Sequence, residues 1–114
     1  MKVKNIAQVG ARKIVSIGTH EFTESEISDV LKLGFEIFIY SYEHGGYEGS
    51  GFAAWKKGRK YFYHQLGHCS CNGPTDQIEQ SAKVGITFKQ LREIANKNYQ
   101  THGKEVVANF AKIK

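Results

Sequence analysis

The stretch "FEIFIYSY", Phe35–Tyr42, decides how this chain folds. Successive residues of a strand face opposite sides. Phe35, Ile37 and Ile39 therefore fall on one face, and Phe38, Tyr40 and Tyr42 on the other. Large apolar or aromatic side chains on both faces call for cover on both faces, which is the signature of a central strand.

Upstream, the local signals agree on a short helix over Glu24–Leu33. Thr23 is placed as N-cap, Glu26 completes a capping box, and Phe22 with Ile27 has the spacing of a hydrophobic staple. Gly34 supplies a left-handed residue to close the helix, after which Phe35 can fold back on Val30. Downstream, "EHGGYEGSG", 43–51, reads as a glycine-rich connection. "GFAAWKKGRKYFYHQL", 51–66, then reads as a β-hairpin turning at Lys57-Gly58 or Gly58-Arg59. On its return strand Phe62, His64 and Leu66 share one face, with Tyr61 and Tyr63 on the other.

A second capped helix begins at Thr87. Gln90 repeats the capping box, Ile86 with Leu91 repeats the staple, and Phe88, Leu91, Ile94 and Ala95 form the stripe. This helix is expected to reach about Tyr99 and close before Gly103. "KEVVANFAKIK", 104–114, fits either a helix or an edge strand, and "ARKIVSIG", 11–18, reads as a further strand. The expected fold class is α+β. A small, mostly antiparallel sheet with a central β-hairpin packs against two or three short helices, as one domain over 1–114.

With 114 residues, seven Phe, six Tyr and one Trp, the chain can bury a core without disulfides or metal. No segment has the length of a membrane span, and "MKVKNIAQVG" lacks the unbroken apolar run of a signal peptide. A cytoplasmic location is expected, with reduced thiols rather than a structural bridge. The net charge of +5 is unevenly spread. Lys2, Lys4, Arg12 and Lys13 make residues 1–20 wholly basic, residues 21–55 are strongly acidic, and "KKGRK", 56–60, is a basic knot.

Three patterns bear on function. The first is "HQLGHCSCNGPTDQ", 64–77, which brings four zinc-competent residues, His64, His68, Cys69 and Cys71, within eight positions. Only one residue separates the cysteines, where two is the usual spacing. The same residues could form a thiol–imidazole pair, or the segment could be a turn with a buried cysteine. Zinc thus stays open as a cofactor, catalytic or structural. The second is "GGYEGSG", 45–51, which matches no phosphate-binding loop and is read as a turn with Tyr47 as a contact residue. The third is "WKKGRKYFY", 55–63, which interleaves cations with aromatics and admits a nucleic-acid partner through the hairpin tip and the basic termini.

The series "YEGSG", 47–51, a basic hairpin and "LGHCSCNGPTDQ", 66–77, resembles a group of small uncharacterised proteins encoded by bacteriophages and prophages. In that group a Tyr-x-Gly-Ser turn precedes a hairpin and a His-Cys-Ser-Cys loop follows. The likeness covers about residues 35–95, and His68-Cys69-Ser70-Cys71 is its most specific part. Asn72 stands where the group has an aromatic residue, and "IEQSAKVGITF", 78–88, replaces an acidic, tryptophan-containing stretch. The resemblance implies a cytoplasmic accessory protein of an infected or lysogenic bacterium, acting on a host or phage protein, for instance in a defence pathway.

The leading expectation is therefore a binding module whose contact residues are Tyr47, Trp55, Lys56, Lys57 and Arg59. The alternative is a small zinc-dependent or cysteine-dependent enzyme built on His64, His68, Cys69 and Cys71.

Overall fold

The computed structural model describes the backbone of residues 3–9, 12–17, 21–45, 48–68, 78–98 and 100–113. It describes the side chains of 12–17, 21–43, 51–66, 78–97 and 102–110. Among the described residues five strands form one sheet in sequential order: β1 (Val3–Val9), β2 (Arg12–Ile17), β3 (Ile37–Gly45), β4 (Glu48–Lys57) and β5 (Lys60–His68). All neighbours are antiparallel except β2 and β3, which run parallel and are joined through helix α1 (Glu24–Leu31). Helices α2 (Phe88–Asn98) and α3 (Gln100–Ile113) follow a short 3-10 helix, Ile78–Ala82. The small α+β architecture with a mostly antiparallel sheet is the expected one.

β3 is central and covered on both sides. On one face Phe38, Tyr40 and Tyr42 pack with Ala53, Trp55, Phe62 and Leu66 under α1 and the 3-10 helix, through Val30 and Ile78. On the other, Ile39 packs with Val15, Ile17, Phe52 and Ala54 under α2 and α3, through Leu91, Ala95, Val106, Val107 and Phe110. Phe35 departs from the simple alternation. It precedes the strand and joins the first cluster with Phe38 and Val30, because Gly34 (φ +70°) turns the chain back over the helix end.

Both capping boxes form. Thr23 N–H donates to Glu26 Oε1 at 2.8 Å and Glu26 N–H to Thr23 Oγ1 at 3.3 Å. Thr87 N–H donates to Gln90 Oε1 at 2.9 Å and Gln90 N–H to Thr87 Oγ1 at 3.1 Å. Arg12 closes the other end of α1, donating to Leu31 O at 2.7 Å and Phe35 O at 3.1 Å with its guanidinium over the Phe35 ring. This cation is thus committed to the fold, where it satisfies the last helix carbonyl, that of Leu31, and the carbonyl of Phe35 beyond it.

Two expectations are corrected, and one alternative left open by the sequence is decided. Much of 43–51 is strand, because β3 runs to Gly45 and β4 starts at Glu48, leaving only Gly46 and Tyr47 between them. Residues 104–113 are helical, decided by burial of Val106, Val107 and Phe110 against the sheet. Gly103 lies inside α3 rather than ending a helix, its cost of about 1 kcal/mol outweighed by that packing.

Candidate functional site

The hairpin tip is built by two exposed turn residues, Gly58 and Arg59, between paired Lys57 and Lys60. Gly58 has φ +63°, the left-handed conformation that the first position of a tight two-residue hairpin turn requires. Its N–H donates to Glu36 Oε1 at 2.8 Å, and Glu36 N–H donates to Lys56 O at 2.8 Å. The segment leading into β3 thus straps the tip at two points. Lys57, Arg59 and Lys60 are exposed and Lys56 is half-buried. The Lys60 stem lies across Gly85, where an added Cβ would come within 2.6 Å of Lys60 Cδ. The tip is therefore a preorganised cluster of cations on a rigid support.

Trp55 is not part of that surface. It is 0% exposed, in a layer with Phe38 (centroids 5.5 Å apart) and Phe62 (5.8 Å). The expectation that Trp55 is a contact residue is thereby corrected. As the strand alternates, residue 55 falls on the face under α1, in register with both rings. Its Nε1 is buried and finds no hydrogen-bond partner among the described residues. Tyr61 and Phe62 are buried too, so the aromatics interleaved with these cations are mostly in the core. Tyr47 lies outside the described residues.

Of the four zinc-competent residues, Cys69 and Cys71 lie outside the described residues, as does the side chain of His68 at the end of β5. His64 is half-buried, and its Nδ1 lies 2.8 Å from Ser81 Oγ of the 3-10 helix. Loss of hydration pushes its pKa below the ordinary histidine value, so the imidazole is neutral at neutral pH. A cleft of about 490 Å³ opens here between β5 and the 3-10 helix, lined by Tyr63, His64, Gln65, Gln80, Ser81 and Val84. Val84 is 76% exposed, an apolar side chain at the rim of an otherwise hydrogen-bonding surface. Among the described residues no group of three or more His, Cys, Asp or Glu is placed to hold a metal ion.

A second Ser–His contact, which the sequence did not signal, lies on the opposite face. Ser41 Oγ of β3 is 2.8 Å from His102 Nδ1 of α3. Ser41 is 2% exposed, so a substrate has no approach to its hydroxyl through the described residues. The contact ties α3 to the central strand. No helix among the described residues is long and apolar enough to cross a membrane.

Comparison with protein-family models, with curated proteins and with solved structures gives no match.

Proposed function

We propose that this chain is a non-enzymatic binding module, a phage-derived accessory protein that recognises an acidic surface on a host or phage protein through its hairpin tip. The phage origin rests on the resemblance of residues 35–95. The observation that carries the binding reading is the strapped tip, with Lys57, Arg59 and Lys60 exposed around a turn pinned by Glu36. A cluster held in place before binding loses little conformational freedom on association. A protein surface is favoured over single-stranded nucleic acid because Trp55, Tyr61 and Phe62, which would stack bases, are buried.

The test is affinity capture from bacterial lysate with the wild type and with Lys56, Lys57 and Arg59 all replaced by alanine. Capture should be lost while far-UV circular dichroism and thermal unfolding stay unchanged, since these side chains carry little of the core. Retained capture by the triple variant overturns the reading.

One observation favours a second reading, the small zinc-dependent or cysteine-dependent enzyme. His64 is held neutral by burial at the edge of a cleft beside Ser81, the protonation state that a base or a metal ligand needs. This reading expects a Cys69 or Cys71 thiol that reacts abnormally fast at neutral pH, or metal that survives dialysis. Two ordinary thiols and a metal-free protein overturn it.

A further inference from the structure

Two serine–histidine contacts of equal length lie on opposite faces of the sheet, and they differ in access. Ser41 Oγ to His102 Nδ1 and Ser81 Oγ to His64 Nδ1 are both 2.8 Å. Ser41 is buried, whereas Ser81 and His64 are each half-buried at the wall of the cleft between β5 and the 3-10 helix.

Both members of the accessible pair are fixed by core neighbours. On β5, His64 falls between Phe62 and Leu66 on the same face, and both of those are buried. In a 3-10 helix, residues three apart lie one above the other. Ser81 therefore sits over Ile78, which is buried in that cluster, and its hydroxyl meets the imidazole. The pair is thus assembled by apolar packing before any ligand arrives. The other residues that line the cleft include two carboxamides, Gln65 and Gln80, and the apolar Val84 at the rim, with no carboxylate, lysine or arginine. A neutral ligand enters such a cleft without leaving a charge unpaired. The cleft volume of about 490 Å³ lies within the range of roughly 300–1,000 Å³ usual for small-molecule sites.

We infer that Ser81 is an acyl-accepting nucleophile, with His64 as its base, in a cleft that takes a small neutral carboxylic ester. A serine hydroxyl is a weak nucleophile until a neighbouring base takes its proton, and a heavy-atom separation of 2.8 Å is within reach for that transfer. Ser81 Oγ attacks the ester carbonyl carbon and its proton passes to His64 Nδ1. The bond from the carbonyl carbon to the alcohol oxygen then breaks, and the leaving alkoxide takes the proton back from His64. Water hydrolyses the acyl-Ser81 ester with the same base, which releases the carboxylic acid and restores the hydroxyl. The inference rests on the second reading, from which it keeps His64, and exchanges the nucleophile, Ser81 for a cysteine thiol.

The experiment is incubation of the full chain with p-nitrophenyl acetate at neutral pH, followed by acid quench and mapping of the acetyl group by peptide mass spectrometry. Nitrophenolate release is followed in the wild type, Ser81→Ala, His64→Gln and a Cys69→Ser/Cys71→Ser double variant, with circular dichroism to confirm that each is folded. The expected result is an acetyl group on Ser81 of the wild type and release slowed roughly a hundredfold or more in Ser81→Ala and in His64→Gln. The double cysteine variant should react as the wild type does. Mapping on the wild type needs no variant to fold, and absence of acetyl from Ser81 there overturns the inference. Unchanged release in a folded Ser81→Ala overturns it as well. An acetyl group on Cys69 or Cys71, with release lost in the double variant, overturns it while leaving the cysteine-dependent reading in place.

Discussion

Tyr40 lies flat against Phe22. The ring planes are 3° apart with centroids at 3.8 Å, and the Tyr40 phenol oxygen accepts the Phe22 backbone N–H at 2.7 Å. One side chain of the central strand thus fixes both the ring and the backbone of the residue that leads into α1. Burial pushes the Tyr40 hydroxyl up to about 12 from an ordinary 10.0. Above pH 10 the unfolded chain loses this proton while the folded chain keeps it, so stability must fall between about pH 10 and 12. Tyr40→Phe should flatten that alkaline limb in denaturant titrations. It should also cost about 1–3 kcal/mol at pH 7, because the buried Phe22 N–H loses its acceptor.

His64 gives the opposite limb. Its pKa is lowered by burial, so as pH falls through 6.5 the unfolded chain is protonated first. Stability is complete above that point and declines below it, by at most about 1.4 kcal/mol per pH unit for one group. Tyr63, Gln65, Gln80, Ser81 and Val84 line the same cleft, and none of them is a carboxylate or a histidine. His64→Gln should therefore reduce the slope of unfolding free energy against pH between pH 7 and 5. An unchanged slope contradicts this assignment.

Trp55 is the chain's single tryptophan, which makes it a clean reporter. Its emission should be blue-shifted in the native state and weakly quenched by iodide, and both properties should be lost on unfolding. Trp55→Ala should cost about 3–5 kcal/mol by opening a cavity between Phe38 and Phe62.

Gly51 is needed for close approach. A Cβ there would run into the Ser41 carbonyl oxygen and come within 2.9 Å of Tyr42 Cα, both backbone atoms. Since β4 lies between two paired strands, the clash has no free edge to relax into. Gly51→Ala should lower stability by about 1–3 kcal/mol, measured as a fall in the denaturation midpoint.

The strap on the tip can be tested without touching a cation. Glu36→Gln keeps an acceptor for Gly58 N–H but removes its charge, and Glu36→Ala removes the acceptor. Amide exchange at Gly58 should be slow in the wild type, faster in Glu36→Gln and fastest in Glu36→Ala. Equal rates in all three show that the bond does not hold the turn.

What was legible in the sequence was local. Thr23 with Glu26, Thr87 with Gln90, and Gly58 at the turn each act within four residues, and each appears as read. The two-sided cover of β3 was legible because Phe38, Tyr40 and Ile39 leave no polar face. Misreadings came where distant packing decides. Trp55 sits beside four cations in the sequence, yet its neighbours in space are rings from β3 and β5. The glycines at 45–51 read as a loop because glycine weakens strands, whereas pairing with β3 and β5 on both sides makes most of them strand. His102 gave no signal at all, since Ser41 lies 61 residues earlier in the chain.

The division of labour between the two layers bears on how the molecule is made. One face of the sheet is covered largely by α1, which lies between β2 and β3, and by the 3-10 helix just after β5. The other is covered by α2 and α3, which come after all five strands. During vectorial synthesis, five strands can therefore pair while Val15, Ile17, Ile39, Phe52 and Ala54 still face water. A released chain that ends near residue 87 would hold a half-covered sheet, a natural client for a holdase chaperone. The docking of the last two helices, rather than the pairing of the sheet, then governs how long that apolar face is open to misassociation.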